Sequence, residues 1–172
     1  KVNGDSIFPV LNMLNTKYFI FPLQGGQTVP VQNPYAYGNA WFVDKVTYAN
    51  NANEEIDEVG KLNLRHEAVA DAKFKEQLGQ SVPQDDTSMV KMIQYKPNNL
   101  TYEVKSSKGG VIVFSEIYYP GWTATVDGQP AELGRVNYIL RALNVKPGSH
   151  KVVLDFHPSS LKKTETVAYI GY

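Results

Sequence analysis

Residues 118–130 read YYPGWTATVDGQP, and the way this stretch must bend decides the fold. Pro120 fixes φ and pushes Tyr119 into an extended shape. Gly121 admits backbone geometry that other residues resist, so Pro-Gly makes a corner between two strands. Beyond the corner, Trp122, Ala124 and Val126 share one face and Thr123 and Thr125 take the other, which is the period of a strand. Asp127-Gly128 signals a type I′ hairpin, a turn with positive φ at both central residues. Pro130 then opens the return strand at a position tolerated near a sheet edge. The bend does not itself require Tyr118, Tyr119 and Trp122. They are either core and corner aromatics or a platform for a ligand.

The flanking sequence is β throughout from Thr87. In LTYEVK, Leu100, Tyr102 and Val104 face one way and Thr101, Glu103 and Lys105 the other, so one face is buried and one wet. SKGG (107–110) turns the chain. VIVFSEI (111–117) is apolar on both faces at first, which predicts a central strand. KVVLDF (151–156) alternates again, with Val152, Leu154 and Phe156 inward. Short strands separated by turns point to a sandwich or jelly roll.

Residues 1 to about 80 are mixed. Asp5 or Ser6 caps a predicted short helix with apolar residues Ile7, Val10, Leu11 and Leu14, and Pro9 is tolerated in its first turn. KYFIF (17–21) reads as a buried strand ending at Pro22. The Gly-, Pro- and Asn-rich segment 22–39 reads as a long loop. AWFVDKVTY (40–48) reads as one strand. NANEEIDEVGKL (51–62) reads as a short helix with Asn51 or Asn53 near its cap and acids in its first turn, where the helix dipole favours them. LNLRHEAVA (62–70) alternates as a strand, and 71–79 makes a brief helical turn.

The 172 residues suit one domain, with or without a subdomain. Seventeen basic residues balance seventeen acidic ones, so no basic excess marks a nucleic-acid partner. The absence of cysteine excludes disulfides, thiolate zinc sites and cysteine nucleophiles. No apolar run approaches the ~20 residues of a membrane span. The first residue is Lys1, which reads as a processed or excised piece.

Catalytic signatures are weak. His150 and His157 bracket one predicted strand and stand ~23 Å apart at 3.3 Å per residue, too far to share a metal. His66 sits on another strand. No nucleophile elbow or phosphate-binding glycine motif occurs. Glu116, Asp127 and Glu132 are the carboxylates to consider for glycoside chemistry, which needs two of them ~5–9.5 Å apart. Asp127 has a turn role, Glu132 lies on an exposed return strand, and Glu116 interrupts an apolar strand, where Arg135 or Arg141 could pair with it. RVNYILRAL (135–143) read as one strand puts Arg135, Asn137, Ile139, Arg141 and Leu143 on one side. Arg135 and Asn137 then offer a polar patch for sugar hydroxyls or phosphate, with a nearby ring for stacking. The alternative is a solvated sheet face with cross-strand pairs. NLT (99–101) fits the short N-glycosylation pattern.

The stretch 114–158, FSEIYYPGWTATVDGQPAELGRVNYILRALNVKPGSHKVVLDFHP, resembles the C-terminal extracytoplasmic segment of the bacterial YfhO-like membrane protein family. Shared features are the Ser-Glu-x-Tyr-Tyr-Pro-Gly-Trp opening, the Val-Asp-Gly hairpin, Arg-x-Asn-Tyr, and a Pro-Gly-x-His turn before a strand ending in Pro. Upstream, LNMLNTKYFI (11–20) and NAWFVDKV (39–46) are similar to the family's preceding segments. The resemblance implies a polytopic parent of the type that transfers sugars from lipid carriers, in the bacterial membrane. Its catalytic carboxylates, expected in early extracytoplasmic loops, have no counterpart here.

The expectation is a mainly β protein, α+β overall. A jelly-roll-like antiparallel β-sandwich (85–158) carries a small N-terminal α+β portion (1–84), and a tail (159–172) leads toward a transmembrane helix. The domain is expected to lie on the extracytoplasmic side and to be non-catalytic alone, without metal or cofactor. Expected partners are its parent's membrane helices and a glycan or lipid-linked sugar. The ligand-binding candidates are Tyr118, Tyr119, Trp122, Arg135, Asn137 and Glu116. An independent carbohydrate-binding module, a glycan hydrolase and a purely structural scaffold are the alternatives.

Overall fold

The computed structural model describes residues 8–158. In chain order, a short helix α1 (Pro9–Met13) leads into a ribbon of β1 (Tyr18–Pro22) and β2 (Thr28–Gln32). Then come β3 (Ala40–Phe42), β4 (Lys45–Ala49), α2 (Ala52–Val59), β5 (Glu67–Asp71), a 3-10 turn (Ala72–Phe74) and α3 (Lys75–Leu78). The remainder is β6 (Met89–Lys96), β7 (Asn99–Ser106), β8 (Gly110–Ile117), β9 (Trp122–Val126), β10 (Gln129–Ala131), β11 (Gly134–Val136), β12 (Leu140–Val145) and β13 (Gly148–Phe156).

Two antiparallel sheets form the sandwich. One has five strands in the order β10-β9-β13-β7-β6, the other four in the order β11-β12-β8-β3. Between them lie Leu100, Tyr102, Ile112, Phe114, Leu143 and Leu154, all essentially without solvent contact. The fold is thus mainly β, a sandwich with a small N-terminal α+β portion, as the sequence predicts. β8 is central, as its apolar run requires, paired to β12 on one side and β3 on the other.

The four-stranded sheet buries its second face as well. Val111, Val113, Leu140 and Ala142 point away from the sandwich core into another cluster with Trp41, Leu64, Val69 and Leu78. Alternate residues of β8 therefore serve two cores, which is why VIVF shows no polar face. The N-terminal portion supplies that third layer. It also contributes β3 to the sheet itself.

Several local expectations hold. Asn51 caps α2, its side chain accepting from the Glu54 N–H at 3.0 Å. Asp127 and Gly128 both take positive φ, 53° and 80°, and join β9 to β10. Pro130 lies on an edge strand.

Other expectations are corrected. α1 does not bury Val10 and Leu11, which are exposed; Asn12 and Met13 go inside instead. The Asn33 Nδ2 donates to Asn12 Oδ1 at 2.9 Å, which makes a buried asparagine affordable. The predicted cap residues Asp5 and Ser6, with Ile7, fall outside the described residues, as does the tail 159–172. The 17–21 segment does form a strand, but β1 is largely exposed and, among the described residues, pairs only with β2, which arises from the segment read as loop. Residues 40–48 are two strands. Val43 N–H still bonds to Val111 O of the sandwich, whereas Asp44 N–H turns to His66 O, and β4 then pairs in parallel with β5. Residues 62–70 yield only β5, because Asn63 Oδ1 accepts from the Arg65 N–H at 3.2 Å and turns the chain first.

Residues 135–143 are likewise not one strand. Asn137 and Tyr138 adopt φ of 49° and 70°, and the chain reverses between β11 and β12, setting Arg135 opposite Arg141. As opposed partners Arg135 and Arg141 begin on the same face of the pair, but Arg135 turns to Glu55, Arg141 to Ile117 O and Glu116, and Asn137 to the Val69 N–H, so the three form no common patch. Left-handed backbone at a tyrosine costs on the order of 1–3 kcal/mol. Glu55 of α2 holds it: Oε1 accepts from the Tyr138 N–H at 2.9 Å, and Oε2 accepts from Arg135 Nη2 at 2.7 Å. Glu55 has no solvent exposure. Burial pushes its carboxyl above the usual carboxylate range, opposed by the Tyr138 N–H and by Arg135.

Glu55→Ala is expected to cost about 2–4 kcal/mol, because it strands Arg135 and frees the strained turn. Urea unfolding measures it. A cost below ~0.5 kcal/mol, within surface-substitution range, would rule out this account of the hairpin.

Candidate functional site

The chain leaves β8 at Ile117 and rejoins the other sheet at Trp122. Tyr118 N–H donates to Ile139 O at 2.7 Å, and His157 N–H donates to Gly121 O at 2.7 Å, so both sides of the corner are stitched. Gly121 takes φ +102°, and a Cβ there would come within 3.0 Å of Pro158 Cα and 3.1 Å of Phe156. Both backbone and space demand glycine.

This corner walls a cleft of about 390 Å³, whose lining includes Gln77, Tyr118, Tyr119, Trp122, Pro130 and Glu132. Its three rings differ in what covers them. Tyr118 is half-buried, edge-on to Phe74 at 5.7 Å. Trp122 packs on Phe156 at 5.1 Å, and the Arg141 guanidinium sits 4.0 Å from its ring centroid. Tyr119 is 62% exposed, the ring most open to a ligand. Gln77, on α3, has a buried Oε1 that accepts no hydrogen bond among the described residues. Glu132 is the one carboxylate in this lining.

The structure therefore gathers Tyr118, Tyr119 and Trp122 and places the other sequence candidates elsewhere. Arg135 pairs with Glu55 and lies 5.3 Å from the Tyr138 ring. Asn137 is buried, its Oδ1 accepting from the Val69 N–H at 3.0 Å, so it docks the β11–β12 hairpin onto β5. Glu116 accepts from Arg141 Nη2 at 3.3 Å, while Arg141 Nε donates to Ile117 O at 2.9 Å. Burial lowers the Arg141 pKa and Glu116 opposes it, yet a guanidinium keeps its proton. The Tyr102 phenol is pushed well above its usual range by burial, with Glu116 adding to it.

Of the three carboxylates, Asp127 sits at the far end of β9, ~17 Å along the strand from Trp122. Its Oδ2 faces His150 Nδ1 at 2.7 Å and its Oδ1 accepts from the Lys151 N–H. His150 Nε2 also faces Lys146 O at 3.0 Å. With acceptors at both nitrogens, the doubly protonated ring is favoured. Asp127 raises the His150 pKa, and His150 holds the Asp127 carboxyl below its usual range.

A second cleft, about 520 Å³, has Asp44, Arg65, His66, Asp85, Asp86 and Ser88 in its lining. Asp44 Oδ2 faces His66 Nδ1 at 2.7 Å. Nothing local in the sequence marks this pair; parallel pairing of β4 with β5 brings it together. Asp85 is held far below the usual range by Ser107 and Thr87 hydroxyls, which leaves it a turn anchor. Among the described residues no group of three or more His, Cys, Asp or Glu is placed to hold a metal ion.

The family model described as bacterial membrane protein YfhO matches residues 15–167, so the chain belongs to that family. No curated protein and no solved structure matches the chain. Among the described residues no helix is long and apolar enough to cross a membrane.

Two outcomes follow from the corner and its distal turn. Gly121→Ala should cost about 1–3 kcal/mol in chemical denaturation, from positive φ and the Pro158 contact; an unchanged midpoint would refute the close fit. An NMR titration should place the His150 midpoint above about 6.5 and show it fall in Asp127→Asn. The stabilisation from His150 is complete below about pH 6.5 and is lost as pH rises through the raised folded-state value. That from Asp127 is present above about pH 3.9 and is lost on acidification, so the pair contributes most between about pH 4 and 6.5.

Proposed function

We propose that this YfhO-family domain binds a glycan or a lipid-linked sugar in the Tyr118–Trp122 cleft. It would thereby position acceptor or donor beside the membrane helices of its parent chain, on the extracytoplasmic side, without catalysing transfer itself. The cleft carries the proposal. A pocket of ~300–1,000 Å³ with few convergent polar groups is the ordinary form of a small-ligand site, and the cleft's volume of about 390 Å³ lies in that range. The open ring of Tyr119 suits the apolar C–H face of a sugar. Glu132, exposed in the cleft lining, is an acceptor for sugar hydroxyls.

A hydrolase needs two carboxylates across the scissile bond. The cleft lining offers Glu132 alone, while Glu116 is engaged by Arg141 and Asp127 by His150. A purely structural corner would bury its aromatics, and the exposure of Tyr119 argues against that. Membership in a membrane protein family favours a domain working with its parent's helices over a free-standing binding module.

A glycan array followed by tryptophan-fluorescence titration tests the proposal, because Trp122 lines the cleft. Tyr119→Ala should weaken binding about tenfold, ~1.4 kcal/mol, at unchanged thermal stability. Absence of binding to any glycan or lipid-linked sugar would count against the reading, as would equal binding by the variant. Release of free sugar by this chain alone would overturn its non-catalytic part.

A further inference from the structure

From Tyr18 to Val43 the chain has no Asp, Glu, Lys, Arg or His. The β1–β2 ribbon lies in that run and stays largely uncovered. Ile20 is 70% exposed, Tyr18 59%, Phe21 and Leu23 50% each, and Val31 45%. Ile20 and Phe21 are neighbours along β1 and so point to opposite faces, and both faces are bare. Phe19 packs on Phe8 at 5.3 Å, but Phe8 is itself 46% exposed.

Edge strands in water are normally guarded by charge, and large apolar patches mark interaction sites. The ribbon itself carries no charged residue of either sign. A second copy of the chain is a poor occupant. One face of a five-residue ribbon, ~17 Å by ~10 Å, offers roughly 170 Å², against ~800 Å² per partner in a stable interface. A lipid surface needs no matching partner face and accepts both faces at once.

We infer that the β1–β2 ribbon inserts into the interfacial zone of the lipid bilayer that holds the rest of a YfhO-family protein. The strands bond to each other, yet their outer edges keep polar backbone that the hydrocarbon core would not satisfy. Insertion therefore stops at the headgroup–acyl boundary, ~5–10 Å deep. Tyr18 and Tyr35, both exposed, are ring types enriched at that boundary. Lys17, just before the ribbon, is placed in sequence to meet lipid phosphates. The ribbon carries no charge, so attraction to anionic lipid is a minor part of the binding.

Flotation of this chain with phosphatidylcholine vesicles tests the inference. The wild-type chain should partition onto neutral vesicles almost equally at low and high salt. Ile20→Asp and Phe21→Asp should each lower partitioning at least tenfold while circular dichroism and thermal midpoint stay unchanged. A Phe21→Trp reporter should shift its emission to the blue on vesicles and be quenched more by shallow than by deep brominated lipid. The inference fails if the wild-type chain does not float, if either Asp variant floats as well, or if salt abolishes flotation. It also fails if Ile20→Asp abolishes a concentration-dependent dimer in a chain that ignores vesicles, which would assign the ribbon to self-association. Tyr119→Ala should float normally, so this result and the glycan result succeed or fail separately.

Discussion

The four-stranded sheet must be covered twice, and the rest of the molecule follows from that constraint. β8 and β12 present apolar side chains on both faces, so neither can border water. At ~2 kcal/mol for each large buried apolar side chain, leaving one face open would forfeit several residues' worth of burial. The five-stranded sheet closes one side. The β4–β5 pair with α2 and α3 closes the other. The N-terminal portion is thus structurally required, and it is fastened by polar contacts that burial makes costly to break. Glu55 reaches the β11–β12 hairpin, Asn137 reaches Val69, and Gln84 spans Gly109 O and Ser106 Oγ.

The cleft is a by-product of joining those layers. β8 belongs to one sheet and β9 to the other, so the chain must cross between them in a few residues. Pro120 and Gly121 make the crossing. The aromatics that fill such a corner cannot all reach the core, and Tyr119 is left outside. α3 packs against the same region through Leu78, whose side chain presses on Gly134, and this brings Gln77 to the cleft wall. The surface proposed for sugar binding thus arises from the geometry that the double-sided sheet imposes.

What could be read from sequence was local. Asp127-Gly128, the Asn51 cap and the Leu100–Tyr102–Val104 alternation each carry their signal within a few residues, and each stands in the structure. The Asn137–Tyr138 reversal was hidden because neither residue is glycine, and its support comes from Glu55, some eighty residues away in sequence. β1 looked like a buried strand because apolar content is what marks burial in a sequence, and β2 lay in a Gly-, Pro- and Asn-rich stretch that read as loop. Nothing in a string of letters says that, among the described residues, no layer covers β1. The same division applies to the site. Tyr118, Tyr119 and Trp122 form a cluster within five residues, whereas Gln77 is an ordinary helical glutamine until the fold sets it beside them.

Arg141 shows where stability ceases to be the governing quantity. A buried cation with one half-exposed partner is a poor source of folding energy, and apolar replacements of buried pairs are often neutral or stabilising. Its Nη1 has no partner among the described residues, and neither has the nearby Tyr102 hydroxyl. Yet Arg141 lies against the Trp122 ring, ties down the end of β8 through Ile117 O, and holds Glu116. Those three contacts fix the direction in which the chain leaves the sheet and the orientation of a ring in the cleft wall. The energetic cost is local, while the order it imposes extends to the corner that Tyr119 and Trp122 share. The sugar site proposed for this corner would gain from such a clamp even where the clamp adds little to folding.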